Sequence, residues 1–423
     1  MNQLESINKF LTTLVFCIFS LFAGGQSSLE EYVKKNAVPI ESIDPAANNY
    51  SELEPLGNAI GDAKVVMLGE QDHGDAPTFL AKTRIIKYLH EKKGFNIIAF
   101  ESDFFGLNIG WDNITKETNE VESFIRKNIY PIWTHCDACA HLLYNYIPNS
   151  YKTTAPLVVS GFDSQLYLDF SINNLVTKLD SVLKAVNAPI AVRPEYTSSI
   201  LLTLDSLITI RPKTESDSGF YKRCDTYLKE IKHDISQKLN ENNIWSMLID
   251  NLIELCFQNK NLNSNTLKAQ NARDFQMAQN LKWLVNARFP DQKIIVWAAN
   301  DHIARFENSS GVLTRMGKYF AEDTMLNKIS YVIAFTSYGG TAGRIGGSTF
   351  TIREPKNNSV ETWIARTYKY AFMDFKAYNK IFPNSSKPFY MKALNHKTFF
   401  KANWTKAFDG VFYIKEMYPC KGI

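Results

Sequence analysis

Four places in this sequence set an acid, an imidazole or a carboxamide directly behind a short apolar run. Glu70 and His73 follow residues 64–68. Glu101 and Asp103 follow 96–100, Asp163 follows 156–161, and Asn300, Asp301 and His302 follow 293–298. A carboxylate that holds one imidazole nitrogen leaves the other free to take a proton from water, the arrangement that general-base hydrolysis needs. Histidine suits that task because its unperturbed pKa, about 6.5, lies near working pH.

Two cations fall on apolar stripes. Lys82 lies three residues after Phe79 and four before Ile86, a position where lysine is rare unless paired. It is expected against Glu70 or Glu101, or facing a developing oxyanion. The plainer alternative is a stem that packs while its amine reaches water. Arg273 lies four residues before Met277 with Asp274 beside it, so it extends a second stripe toward the same place. A solvated ion pair is its alternative. Arg84, on the far side of its helix from Lys82, is expected at the surface.

These groups need elements to position them. Six apolar runs read as buried strands: 64–68, 96–100, 156–161, 293–298, 331–336 and 410–415. Helical patterns separate most of them. One spans 76–92, with Asp75 as its expected N-cap and Pro77 in its first turn. The alternation predicts an α/β fold, a mostly parallel central sheet flanked by helices, whose strand carboxyl ends form the site. Between about 171 and 289 strand patterns fade, apart from a doubtful one at 201–210. Amphipathic helices such as 245–257 and 266–289 predict an inserted helical subdomain. Beyond 350 the chain is less regular and returns to the fold at 408–414.

Composition narrows the classes. The 423 residues carry 47 basic and 43 acidic side chains, net +4, too balanced for nucleic acid. Residues 1–26 read as a signal peptide. Lys9 precedes an apolar run at 10–22, too short to span a bilayer, and Ala23-Gly24-Gly25 offers a cleavage site. The mature chain, 27–423, is then exported, periplasmic or extracellular, with no stable membrane span. An uncleaved N-terminal anchor is the alternative. Five cysteines remain, and Cys136 with Cys139 could form a short-range bridge. The run from His135 to His141 resembles a zinc site, but seven consecutive residues do not easily surround one ion. His90, His233 and His396 have polar neighbours and read as surface residues. No G-x-S-x-G elbow appears, and the glycine-rich run 339–348 lacks the phosphate-loop Lys-Ser/Thr ending. It reads as a loop or hairpin beside the cleft.

The matching pieces now suffice for a comparison. LGEQDHG (68–74), Lys82, IIAFESD (97–103), Trp133, GFDSQ (161–165), ARDFQMAQN (272–280), IIVWAANDHIAR (294–305), the 317–337 region and FDGVFYIK (408–415) occur in order. On these the sequence resembles the erythromycin esterase-like proteins over nearly its whole mature length. The resemblance implies an α/β core with a helical subdomain and a deep cleft. It also implies hydrolysis of an ester, in the best-known members a macrolide lactone, an antibiotic-resistance activity. One position departs. The family usually reads Trp-Ala-His-Asn-x-His at the fourth strand, and Ala299 stands here where the first histidine is expected, while His302 keeps the second.

The expected mechanism makes His73 the base for water. Glu70 or Glu101 orients it, Lys82 stabilises negative charge, and His302 or Asn300 donates to the oxyanion or leaving group. Asn300, Asp163, Asp301 and Arg273 are expected to bind the small-molecule ester or lactone. No cofactor is required. The nearest rival places a divalent metal on Glu70, His73, Glu101 and His302. A further alternative is a ligand-binding protein without turnover, for which Ala299 is the support.

Overall fold

The computed structural model describes residues 29–209, 218–262, 264–306, 313–385 and 387–423. The expected signal peptide and Cys17 lie outside the described residues.

All six expected strands are present: β2 (Val65–Leu68), β3 (Phe95–Asp103), β4 (Val158–Asp163), β5 (Lys293–Trp297), β6 (Ser330–Ala342) and β11 (Gly410–Met417). They lie side by side in the order β4-β3-β5-β2-β6-β11, and every neighbouring pair is parallel. Buried on both faces, such strands read as unbroken apolar runs, so the sequence shows them plainly. The β-structure beyond this block is antiparallel. β8 (Tyr370–Asp374) pairs with β11, β1 (Val38–Ile40) pairs with β8, and β7 (Phe350–Thr351) hangs on the end of β6. A separate two-stranded ribbon joins β9 (Phe389–Met391) and β10 (Phe400–Ala402).

Register aligns the carboxyl ends. Leu68 pairs with Trp297, Trp297 with Phe100, and Phe100 with Gly161. One row of residues thus marks the edge of four adjacent strands, each about 4.8 Å from the next. The residues just past that row are Gly69-Glu70, Ala298, Glu101 and Phe162-Asp163.

Alternating side chains divide the core in two. Val66, Leu68, Ile98, Phe100, Ile295 and Trp297 pack on one face with Phe79, Ile86 and Leu89 of helix α1 (Ala76–Lys93). Val65, Met67, Ile294 and Val296 face the other way, toward Leu252, Met277 and Leu281. Helix α1 ends at Gly94, whose φ of 73° is the left-handed conformation that glycine adopts without cost.

Residues 171–289 hold no strand among those described. They form α2 (Asp169–Ala185), α3 (Ser218–Ser236), α4 (Ile244–Asn261) and α5 (Thr266–Trp283), with shorter turns between. The doubtful strand at 201–210 is helical through Thr209, and residue 210 lies outside the described set. Helix α3 packs on α4 and α4 on α5. Asn243 and Asn265 cap α4 and α5 by accepting from Trp245 N and Lys268 N. No helix among the described residues is long and apolar enough to cross a membrane.

Four readings need correction. Arg84 is buried, because the segment 42–52 folds across its side of α1. The guanidinium donates to the Asn49 carbonyl at 2.7 Å, to the Ser42 carbonyl and to Glu52. Cys136 bonds to Cys420 rather than Cys139, which is a buried free thiol. His396 is fully buried between Asp75 and Ser337. Asp75 stands at the N-cap of α1, yet its side chain caps nothing there. One oxygen accepts from Asp72 N, and the other contacts His396 Nε2.

Candidate active site

Glu70 is the hub of the first half of the site. Its Oε1 accepts from His73 Nδ1 at 3.1 Å and from the Trp133 indole at 3.2 Å, while Oε2 receives the Lys82 ammonium. A carboxylate can only accept, so His73 Nδ1 carries a proton, and in the neutral ring Nε2 is then the acceptor. The His73 ring stands edge-on to Trp133 and keeps 20% of its side-chain surface exposed, whereas Glu70 is fully buried.

Lys82 lies behind Glu70. Its ammonium rests 3.9 Å from the centre of the Trp297 ring and has no exposed surface. Burial pulls its pKa below the ordinary lysine value, and Glu70 offsets part of that pull. The pairing with Glu70 agrees with one sequence expectation. The other, direct contact with an oxyanion, fails because the group is sealed from the cleft.

Glu101 is the hub of the second half. One oxygen accepts from Ala299 N at 2.9 Å. The other meets Arg273 Nη2 at 3.0 Å and His302 Nε2 at 3.3 Å. His302 Nδ1 contacts Asp274 at 2.7 Å. Burial opposes charge on this imidazole, but Glu101 and Asp274 outweigh it and raise its pKa to about 9. Burial likewise works against the Glu101 carboxylate, and His302, Arg273 and His73 overcome it, holding the pKa down at about 2. Near neutral pH the second half is therefore an imidazolium clasped by two carboxylates.

Arg273 braces that half. Nε and Nη2 grip Asp163 at 3.1 and 2.6 Å, and Nη1 approaches His302 Nε2 at 3.2 Å. With His302 charged, that last contact sets two donors side by side, and Glu101 holds them there by accepting from His302 Nε2 and from the neighbouring Arg273 Nη2. Asp163 is fully buried and takes a further bond from the Tyr130 hydroxyl at 3.1 Å. It orients Arg273 and has no face toward a substrate, which corrects its expected binding role.

Asn300 also departs from expectation. Its Nδ2 donates to the Phe335 and Ala393 carbonyls at 2.7 and 2.6 Å, and its Oδ1 accepts from Phe335 N at 3.0 Å. Nothing remains to donate to an oxyanion. The amide staples the β5 loop to β6, and only glycine at 69 leaves room for it: a Cβ there would lie 1.9 Å from Asn300 Oδ1. Asp301 pairs with Arg315, which also reaches Asp274 at 3.3 Å. Burial raises the Asp301 pKa, and Arg315 works against that rise. Asp103 turns away from the site and caps the backbone at Gly106 and Leu168.

Sequence reasoning passed over Tyr130 and Arg315. Tyr130 sits three residues before Trp133 at the start of the same turn, a spacing that could have flagged it. No local pattern marks Arg315.

Metal binding fits poorly. Among the described residues, the group of three metal-capable side chains with ligand atoms within 4.8 Å of one another is Cys136, Asp137 and Cys420, and its two sulfurs are already joined. Glu70 and Glu101 are each engaged by three donors. Of the four side chains considered for a divalent ion, Glu70 already binds Lys82 and His73, and Glu101 binds Arg273 and His302.

The family model described as erythromycin esterase matches residues 90–417. A Bacillus subtilis protein named as a candidate hydrolase, YbfO, is 26% identical over 365 residues, 79% of each chain. Erythromycin esterase type I of Escherichia coli is 26% identical over 319 residues, 71% of this chain and 76% of its own. The open conformation of a mutant of the erythromycin esterase EreC superposes with a TM-score of 0.67 at 18% identity, covering 90% of this chain and 97% of its own. That likeness shows a shared fold.

Proposed function

The chain belongs to the erythromycin esterase family, and from that membership we propose that it hydrolyses a carboxylic ester or macrolactone of a small molecule with water activated by His73. The observation that carries the reading is the Glu70–His73 hydrogen bond, which holds Nδ1 and makes Nε2 the proton acceptor of the neutral ring, on a side chain that keeps 20% of its surface exposed at the rim where four strand ends meet. His73 Nε2 takes a proton from water as the water adds to the ester carbonyl. Glu70 steadies the imidazolium that forms, and Lys82 and Trp133 hold Glu70 in place.

The developing oxyanion needs donors that reach the cleft. Arg273, with 19% of its side chain exposed, fills that role through Nη1, and the His302 imidazolium, whose two nitrogens are held by Asp274 and Glu101, adds positive charge beside it. A donor of this kind contributes about 3 kcal/mol of barrier lowering. His73 then returns its proton to the departing alkoxide. Asp163 and Asp274 keep Arg273 and His302 in position. The scheme asks nothing of a metal, since both carboxylates work as hydrogen-bond acceptors. The Cys136–Cys420 disulfide supports an exported, oxidising setting.

The test is a panel of esters and macrolides incubated with the mature protein, with and without chelator, beside a His73→Ala variant. Turnover that survives chelation and vanishes in folded His73→Ala supports the scheme. Hydrolysis by the variant at the wild-type rate removes His73 as the base, and loss on chelation with recovery on metal addition replaces the scheme with a metal-dependent one. Binding without turnover across the panel makes the chain a ligand-binding member of the family.

A further inference from the structure

A cavity of about 720 Å³ opens beside the His302 turn. Its floor is the Asp301–Arg315 pair, and Arg315 reaches Asp274, the partner of His302 Nδ1. The cavity therefore adjoins the second half of the site through one ion-pair chain. Its remaining walls come from Arg305 and Phe306, from Leu394 and Asn395, from β10, and from the turn carrying Lys406.

The lining is unbalanced in charge. Four cations, Arg305, Arg315, Lys401 and Lys406, face one carboxylate, Asp301. Arg305 is bound by Asp409 at 2.8 Å, behind the wall. Arg315 is occupied by Asp301 and Asp274. Lys401 and Lys406 are exposed, and no salt bridge joins either to an acid among the described residues. Beside the cations lies an apolar patch. Phe400 is 38% exposed although it is large and aromatic, and Phe306 is stacked on Trp404 at 6.0 Å. A cavity that holds uncompensated positive charge next to exposed aromatic surface favours an organic anion and disfavours a protonated amine.

We propose that this cavity is a subsite for an anionic, partly apolar portion of the substrate, its negative group met by Lys401 and Lys406 and its apolar portion by Phe400. The proposal rests on reading the neighbouring site as a hydrolase and adds the substrate class: an ester or lactone that carries a carboxylate or an equivalent acid away from the bond that is cut.

Binding tests it without turnover. The probes are 4-phenylbutyrate, 4-phenylbutanamide and 4-phenylbutylamine, none of which can be hydrolysed as an ester, titrated into the wild-type protein by calorimetry at low and high salt. The carboxylate should bind about tenfold more tightly than the amide, the amine most weakly, and salt should narrow the gap. The doubly charge-reversed variant Lys401→Glu/Lys406→Glu, checked for native circular dichroism, should lose the preference. Equal affinities, no measurable binding of any probe, or a preference that survives charge reversal would overturn the proposal. A preserved anion preference in a protein that hydrolyses no ester would instead overturn the hydrolase reading and leave the subsite standing.

Discussion

Lys82 and His73 never touch, yet both bind the same carboxylate: Glu70 offers Oε2 to the lysine and Oε1 to the histidine. A fully buried cation and a cleft-facing imidazole are coupled through one side chain. Removing Glu70 therefore does two separable kinds of damage. Glu70→Gln should cut turnover by about 10³ or more, in line with the loss of a triad carboxylate, and should destabilise the fold by about 3 kcal/mol because Lys82 is left buried without a counter-charge. Glu70→Gln/Lys82→Met should recover much of the stability and none of the activity. Chemical denaturation beside kinetics on each variant reads both effects. Full activity in a stable double variant would remove Glu70 from the mechanism.

His302 gives a pH prediction. Its folded pKa of about 9 lies above the unfolded value of about 6.5. The native state holds this proton more tightly, so the associated stability is complete below about pH 6.5 and fades as pH rises through about 9. The amount is on the order of 3 kcal/mol. The melting temperature of the wild type should fall between pH 7 and 9.5 more steeply than that of His302→Gln. The same deprotonation should give kcat/KM an alkaline limb near pH 9. Parallel melting curves for the two proteins would show that the imidazolium adds nothing.

The Cys136–Cys420 disulfide should matter to activity as well as stability. It ties the final residues to the turn that carries Trp133, and the same tail meets the His73 loop. Cys420 N donates to the Gly74 carbonyl at 2.9 Å, and Ala76 N donates to the Tyr418 carbonyl at 3.1 Å. Cys420→Ser should cost about 2–4 kcal/mol and lower kcat through a loosened His73. A variant with an unchanged midpoint and unchanged kcat would show the strap to be idle.

His396 should behave as a structural anchor. Its Nε2 lies 2.7 Å from Asp75 Oδ1 and both side chains are buried. Burying Asp75 without that partner costs about 3–5 kcal/mol, so His396→Ala should lower the denaturation midpoint accordingly. His396→Gln, which can still donate to Asp75, should recover part of the loss. Equal stability of wild type and His396→Ala would contradict the arrangement.

The parallel block was legible because strands covered on both faces have no polar alternation to disguise them. Their lateral order was not, since nothing local says that β5 inserts between β2 and β3. That insertion brings His302 beside Glu101. The short strands β1, β8, β9 and β10 escaped notice because three to five residues of mixed character carry too little periodicity. The carboxylates and imidazoles at the strand ends were visible, but their division of labour was not. Asn300, Asp163 and Lys82 read as cleft groups from position alone, and packing turns each of them inward. His396 failed for the opposite reason. Its neighbours Asn395 and Lys397 are polar, and the acid that buries it is 321 positions away.

The terminal strap also sets an order of assembly during biosynthesis. Residues 418–423 leave the ribosome after every other described segment, and Cys420 must meet a thiol made 284 positions earlier. Until then Gly74 and His135 lack the partners that steady the loops bearing His73 and Trp133. A chain cut at Met417 would keep every strand of the sheet and still lack the covalent and hydrogen-bonded strap that holds the loops bearing His73 and Trp133.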